Sequence, residues 1–507
     1  MKSKLLSIIC LLLNLCVNAQ READVLFSGK NDFSIPNSPP TSTTLFKFNN
    51  DSIEQIDNSC TIASSNFFSN ATFSDKYGNF KFTSNGWRLV NSLGEVLSYK
   101  LWSNEIPWPN NQPDTTLIDC SKGPLFLTSP SDSNKVFLIY GQAKRQLTPN
   151  NAFTDRFDIL LTFAILDIPT QKLISQNNLI SSDTTSQSNV NAVRHANGRD
   201  WWLVKPGIFS NEYYVGLLDT KGFGEMQKIT FQEIPAREQS FTIAHFNEEG
   251  TKLLHFTHWR SKFIQTYDFD RCTGELSNPQ EYDLTGLLRN GENNNFAISP
   301  DGTNAYFEHM NWQDSLDYPP GTFQYDLESG AFTLLTKRYG STFLSPNYKS
   351  IYFSSISIDS VGNRNFFLSE IKQPNSLGFE CNLQMFKYPL INTPSMVTHP
   401  SYANYRLGAL IGSPCDTIRP MLPYAGNTVI YPNPFASGFT LQLAEAPIIP
   451  MQLKVYNSVG QIVAESGITY QTTVITVKEG LAAGLYFVQL FDGQGKLVLK
   501  EKMVKNE

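Results

Sequence analysis

The sequence predicts an all-β protein: a β-propeller body of seven blades, with six as the alternative, followed by a small C-terminal β-sandwich. Three observations carry this. The chain of 507 residues holds 13% aromatic and only 17% charged residues, with 31 glycines and 28 prolines, and has no long Lys/Glu/Ala/Leu helical patterns. A strand–turn–strand unit recurs through the body. The last stretch alternates apolar with polar residues in short runs separated by turn residues.

Residues 1–19 have the pattern of a secretory signal peptide. Lys2 and Lys4 give a positive start, Leu5 to Leu13 an apolar run, and Val17-Asn18-Ala19 a small-residue cleavage site. A lipoprotein reading would use Cys16, but Leu15 stands where a small residue is wanted. No later stretch approaches the roughly 18 apolar residues of a membrane helix. Loss of Lys2 and Lys4 takes the net charge from −6 to −8, with 38 basic against 46 acidic residues. A mildly acidic chain without basic clusters is a poor candidate for nucleic acid. Five cysteines remain after the signal: Cys60, Cys120, Cys272, Cys381 and Cys415. Export makes one or two disulfides plausible, and the odd count leaves at least one thiol over. Their spacing does not fix the pairing, and none has the C-x-x-C spacing of structural zinc.

The body, residues 20–412, is organised by its repeat. The clearest copy is Phe296-Ala-Ile-Ser-Pro-Asp-Gly-Thr-Asn-Ala-Tyr-Phe307. Ala244 to Phe256 and Phe343 to Phe353 follow the same plan, with Gly250 and Gly302 where a tight turn wants positive φ. Each copy leads to a second strand–acidic turn–glycine signature, as in Thr266 to Gly274 and Phe323 to Gly330. Weaker copies start near Gly78, Ser133 and Gly198, and the last clear anchor is near Tyr348. The spacing of roughly 46–65 residues is that of a four-stranded blade with variable loops. One further step reaches His399-Pro400-Ser401, with Tyr405 to Gly408 as a candidate strand. Ring closure is expected to pair a strand near Thr43 to Phe48 with the last blade, burying edges that otherwise invite association.

These units resemble the WD40-like Ser-Pro-Asp-Gly propeller repeats of periplasmic and secreted bacterial proteins, although only the Phe296 copy is intact. The run Tyr402 to Asp416 resembles the end of the propeller body in such proteins. Residues 413–427, with their prolines and Gly426, read as a linker.

No catalytic constellation stands out. G-x-S-x-G, H-E-x-x-H and a phosphate-cradling glycine loop are all absent from the sequence. No catalytic residue, cofactor or metal is therefore nominated, and an enzyme is disfavoured. The candidate ligand site is His258, Trp259, Arg260, His309, Asn311 and Trp312. In both repeats these follow the turn glycine by seven to ten residues, in the loop toward the third strand. Tryptophan stacks on sugars or apolar ligands, while His and Arg add polar handles. The bland alternative is packing between blades. His255, on the strand itself, is read as a core or face residue. Asp268, Asp270, Asp326 and Glu328 recur in turns, but two acids per turn are too few for calcium, so they read as solvated turn residues. Two functions follow: a protein- or glycan-binding propeller, or a secreted glycan-processing hydrolase with a site in the central channel.

Residues 428–507 are expected to form the sandwich. Thr428-Val-Ile-Tyr431-Pro432-Asn433-Pro434 leads in, with two prolines that deny backbone donors. Val455-Tyr-Asn457 runs to a turn with Gly460, Gly484-Leu485-Tyr486-Phe-Val488 forms a strand, and Lys496 to Lys500 opens the last one. This stretch resembles the type A C-terminal sorting domain of the type IX secretion system of Bacteroidota. The resemblance implies an outer-membrane translocation signal read by the type IX translocon, removal by its C-terminal signal peptidase, and a protein that is secreted or held on the outer cell surface after passing through the periplasm.

Overall fold

The structure is a computed structural model. It describes residues 25–28, 43–48, 52–58, 69–86, 88–98, 101, 123–147, 153–186, 188–239, 242–257, 262–285, 287, 296–309, 320–338, 340–362, 364–390, 399–410, 412–416 and 428–506, apart from 444–446, 448–449, 478–479, 494 and 496. The chain divides into two compact units, a body ending at Thr417 and a tail beginning at Ile418. The expected signal peptide, Cys60 and Cys120 lie outside the described residues.

The body is a β-propeller, and its described strands form seven sheets. Sheet one holds Val25–Ser28, Thr43–Phe48 and Ile53–Asn58; sheet two holds Ser69–Ser74, Phe80–Ser84, Leu89–Asn91 and Val96–Ser98. Sheet three holds Leu125–Thr128, Lys135–Leu147, Phe153–Asp167 and Lys172–Ser181. Sheet four holds Asn191–Arg194, Trp201–Pro206, Glu212–Asp219, Gly222–Phe223 and Gln227–Thr230. Sheet five holds Thr242–Phe246, Lys252–Thr257, Phe263–Phe269 and Leu276–Asp283. Sheet six holds Phe296–Ile298, Asn304–His309, Gly321–Asp326 and Phe332–Thr336; sheet seven holds Thr342–Leu344, Ile351–Ile358, Arg364–Ile371 and Leu383–Pro389. Within these seven sheets consecutive strands pair antiparallel, except that in sheet four Gly222–Phe223 and Gln227–Thr230 both pair with Glu212–Asp219. The first strands neighbour one another around a common axis.

Aromatic rings join sheet to sheet. Phe73 lies 5.9 Å from Phe126, Phe163 4.5 Å from Phe223, Tyr213 4.8 Å from Tyr267, and Phe256 5.2 Å from Phe296. Such pairs add about 0.5–1.5 kcal/mol each beyond area burial. Sheet seven meets sheet one through Phe343 and Phe48, at 6.4 Å.

Two expectations are corrected here. Thr43–Phe48 does not hydrogen-bond to the last sheet; it is the centre of its own sheet, between Val25–Ser28 and Ile53–Asn58. Its contact with sheet seven is made by side chains. His399–Ser401 does not open a further sheet. It pairs parallel with Ser69–Ser74, on the edge that faces the axis, and Tyr405 to Gly408 is turn and coil. The expected linker is described only over Ser413–Asp416, which a Cys272–Cys415 disulfide ties to the body. Cys381 is a buried free thiol.

The turns between first and second strands share one device. A side-chain oxygen at the first turn position accepts from backbone N–H groups three to five residues on. Ser299 Oγ accepts from Asn304 N at 2.9 Å, Asn247 Oδ1 from Thr251 N at 2.9 Å, and Ser345 Oγ from Ser350 N at 3.0 Å. The next requirement is positive φ, met by Gly250 (70°), Gly302 (73°) and Tyr348 (56°).

The tail is a sandwich of two sheets. One is Val429–Tyr431, Gly438–Gln442 and Thr472–Thr476; the other is Ile462–Ile468, Met451–Asn457, Gly484–Phe491 and Leu497–Lys505 in that order across the sheet. Phe435, Phe439, Leu441, Leu453, Val455, Val488 and Leu490 fill the space between them.

Gly250→Ala is expected to cost on the order of 2–4 kcal/mol, because a Cβ there would sit 2.4 Å from Val193 and 2.8 Å from Leu407. Gly222→Ala, at positive φ but with nothing within 4 Å, should cost only about 1 kcal/mol. Urea unfolding of the two variants checks the difference.

Candidate functional site

Three parts of the body bear on function: its axis, the two ends of its sheets, and a buried polar row in sheet five. Beside the first strand of sheet two the chain packs closely on itself. Pro400 and Ser401 are buried on the inner edge of Ser69–Ser74, and Gly123 approaches so closely that a Cβ there would meet Ser401 Oγ at 2.4 Å. Beside them, the Asn189 amide bridges two sheets: its Nδ2 donates to Ala244 O and its Oδ1 accepts from Ala244 N, at 2.9 and 3.0 Å. The buried polar groups on the first strands include the hydroxyls and amides of Asn70, Thr72, Ser74, Asn191, Thr242 and Thr342, together with the Arg194 guanidinium. Hydroxyls and amides bind water or polar neutral ligands.

One end of the sheets is covered by Tyr402 to Asp416. Tyr402 OH donates to Leu344 O in sheet seven, and Tyr405 OH donates to Phe126 O in sheet three at 2.7 Å. The Tyr405 ring lies 6.3 Å from Phe73 and 5.1 Å from Trp201. Asn404 Nδ2 donates to Glu248 O at 2.8 Å. Arg271 donates through Nε to Arg194 O and through its other nitrogen to Gly408 O. Leu410 N donates to Ala196 O at 2.8 Å. One segment thus touches sheets two, three, four, five and seven.

The predicted ligand residues lie at or just after the ends of the second strands of sheets five and six in the sequence. The Thr257–Phe263 and His309–Gly321 pairs close the stems of two loops that leave neighbouring sheets five and six opposite the Gly250 and Gly302 turns. His309 is on the strand, paired with Gly321. The His309 side chain and His258, Trp259, Arg260, Asn311 and Trp312 lie outside the described residues.

His255 sits in a row that crosses sheet five, in register with Gln265 and Glu281. Tyr213 OH lies 2.6 Å from His255 Nδ1, Gln265 Nε2 donates to Glu281 at 2.9 Å, and Arg237 donates to both Glu281 oxygens. Burial drives the His255 pKa down to about 3, so the imidazole is neutral. The core reading of His255 therefore holds. Lys205, also fully buried, donates to Ser188 O and Oγ; burial alone lowers its pKa to about 7. Nothing in the residue pattern marks it, because a lysine near the end of a strand reads as exposed.

Three of the turn acids are held in hydrogen bonds, two of them from backbone N–H groups. Asp270 Oδ1 accepts from Cys272 N at 2.7 Å, Asp326 Oδ1 from Glu328 N at 3.1 Å, and Asp268 Oδ2 from Asn278 Nδ2 at 2.7 Å. Among the described residues no group of three or more His, Cys, Asp or Glu is placed to hold a metal ion, and no helix is long and apolar enough to cross a membrane.

In the tail, the Tyr431-Pro432-Asn433-Pro434 motif works as a clamp. Asn433 Nδ2 donates to Lys502 O and Asn433 Oδ1 accepts from Val504 N, both at 2.9 Å, so one side chain imitates a strand against the last strand. Phe435 continues the pairing, with its N–H to Val504 O at 2.9 Å, and its ring is buried against Tyr486 at 5.9 Å. Gly460 (φ 83°) closes the turn that Asn457 caps, and Gly484 (φ 148°) starts the strand carrying Leu485 and Tyr486. Lys500 lies 5.7 Å over the Phe487 ring. Lys496 lies outside the described residues.

Linkage fixes the sign of two pH effects. Lys205 is neutral in the fold above about pH 7, while the unfolded chain keeps that proton up to about 10.5. The unfolded state then binds more protons, so stability rises with pH across this window and falls toward its lower end. For His255 the same loss runs from about pH 6.5 down to about 3. Lys205→Met is expected to stabilise the body at pH 7 by on the order of 1–3 kcal/mol and to flatten the rise in melting temperature between pH 7 and 10. Asn433→Ala should cost the tail about 1–3 kcal/mol and speed hydrogen exchange at Val504 N–H.

Comparison with known proteins bears on the tail and the body differently. No curated protein matches the sequence. Among solved structures, the chain is similar to the Pseudomonas aeruginosa periplasmic gluconolactonase (12% identity, TM-score 0.39, covering 72% of this chain and 97% of that one). It is also similar to PorZ, a surface component of the type IX secretion system of Porphyromonas gingivalis (9%, TM-score 0.17, 97% and 100%). A third likeness is to the β-propeller domain of Cps50 (Swd1) from Myceliophteria thermophila (10%, TM-score 0.35, 68% and 95%). At TM-scores below 0.5 nothing about this chain's activity follows from them. Residues 429–506 match the model of the secretion system C-terminal sorting domain. The clamp and sandwich described above are thus a type IX sorting domain, and the protein is a cargo of that system, exported across the outer membrane to the cell surface or the medium.

Proposed function

We propose that the body is a binding module for a surface protein or a glycan, presented outside the cell by the export signal at its C-terminus. The observation that carries this reading is the addition of residues 399–401 to the edge of Ser69–Ser74 and the covering of one end of the sheets by the segment that begins at Tyr402. A hydrolase working through an axial channel needs that channel reachable by its substrate from the ends of the sheets. The end that remains is the one bearing the loops after Thr257 and His309. His258, Trp259, Arg260, His309, Asn311 and Trp312 are the residues we assign to the ligand there, with the tryptophans as stacking surfaces. The type IX translocon reads the tail, and its C-terminal signal peptidase removes it.

A glycan array probed with the purified body is expected to show binding that Trp259→Ala and Trp312→Ala each weaken by tenfold or more, the loss of about 1.4 kcal/mol. Binding unchanged in both variants would remove the proposed site, and turnover of a polysaccharide would overturn the non-enzymatic reading. Deleting Tyr431 to Glu507 is expected to leave the protein in the periplasm, as cell fractionation would show.

A further inference from the structure

We propose that Tyr402 to Asp416 is a redox-fastened clasp: the Cys272–Cys415 disulfide holds its C-terminal half across the sheet ends, and reduction releases that half while the sheets stay folded. The two halves are held in different ways. Ala403, Asn404 and Tyr405 are buried, and Tyr402 packs against three of the body's hydrophobic clusters. Arg406 and Leu407 are half-buried, and Gly408, Leu410, Gly412 and Pro414 are exposed. Past Leu407 the non-covalent ties to the body among the described residues include Arg271 to Gly408 O, Leu410 N–H to Ala196 O, Ala409 against Gly198, and Cys415 Sγ near Cys272 O at 3.6 Å. Gly412, Ser413 and Asp416 bond within the segment itself. An exposed strip of this kind opens locally at low cost unless something else holds it. That something is the bond from Cys415 to Cys272, which lies in the turn between the third and fourth strands of sheet five.

Cys272 is well placed for this. Its N–H donates to Asp270, its carbonyl oxygen takes the His195 Nε2 contact at 3.1 Å, and the neighbouring Arg271 side chain reaches Arg194 O and Gly408 O. Drawing Cys415 onto Cys272 therefore also seats Gly408 on Arg271. Closure is a balanced exchange. One thiolate attacks the disulfide of an exported thiol–disulfide oxidant, the second displaces it, and two protons and two electrons leave the cysteines as the oxidant becomes a dithiol. The clasp is thus loose on a reduced chain and fastened once the chain reaches an oxidising compartment.

Arg406 stands at the junction of the two halves and is a trypsin site. Limited trypsin digestion of the full-length protein, with and without tris(carboxyethyl)phosphine under native conditions, reads its opening directly. Reduction is expected to speed cleavage after Arg406 at least about tenfold and to leave cleavage after Lys252 and Lys349 unchanged. Paired Cys272→Ser and Cys415→Ser substitutions should behave like the reduced protein, and Cys381→Ser like the oxidised one. Equal Arg406 rates in both redox states would overturn the proposal. So would acceleration of Arg406, Lys252 and Lys349 together, which would make the disulfide a support of the whole fold. If the paired variant does not fold, the reductant arm on the natural sequence decides.

Discussion

A ring of sheets leaves its first strands edge-on around an axis and their ends open, and the body depends on how that problem is met. Unpaired edges and buried backbone groups without partners are costly. Here the chain supplies the partner from its own C-terminal end. Residues 399–401 add to the inner edge of Ser69–Ser74, and the segment that follows takes its bonds from carbonyls at the ends of sheets three, five and seven and from Ala196 beside sheet four. Because Tyr405 meets Phe73, Phe126 and Trp201 together, a shift of any one of these sheets is felt at the same side chain.

Much of this was legible in the sequence, and the rest was hidden for identifiable reasons. The turn anchors were found where the device is written in Ser-Pro-Asp-Gly or Asn-Glu-Glu-Gly. Their degeneracy has a physical cause: the turn needs an oxygen acceptor and a positive φ, and Ser, Asn or Asp meets the first while Gly or Tyr348 meets the second. The N-terminal sheet was missed because Thr43 to Phe48 carries no such turn. His399 to Gly408 was misread as a further blade because its spacing fitted; a tyrosine-rich coil that buries Tyr405 looks like a strand in one dimension. The disulfide partner of Cys415 lay 143 residues away, a distance that spacing arguments cannot bridge. The candidate ligand side chains fall outside the described residues; Lys205 and the partners of His255, Gln265 and Glu281, were silent because burial and register are properties of the fold.

Export and architecture fit together. The tail locks its lead-in to its last strand through Asn433, so the motif that marks the sorting domain is also what completes its sandwich. The body closes with a segment whose cysteine is joined in the compartment the export route provides. One end of the sheets is bridged by the chain itself.

The central claim is that the chain's own segment closes the ring. Hydrogen exchange at the Leu410 amide, bonded to Ala196 O at 2.8 Å, tests it most directly in the oxidised full-length protein. The account predicts protection of Leu410 N–H and Tyr405 N–H comparable to that of Ala244 N–H on a first strand. Exchange of both at the rate of an exposed loop, with Ala244 still protected, would contradict it.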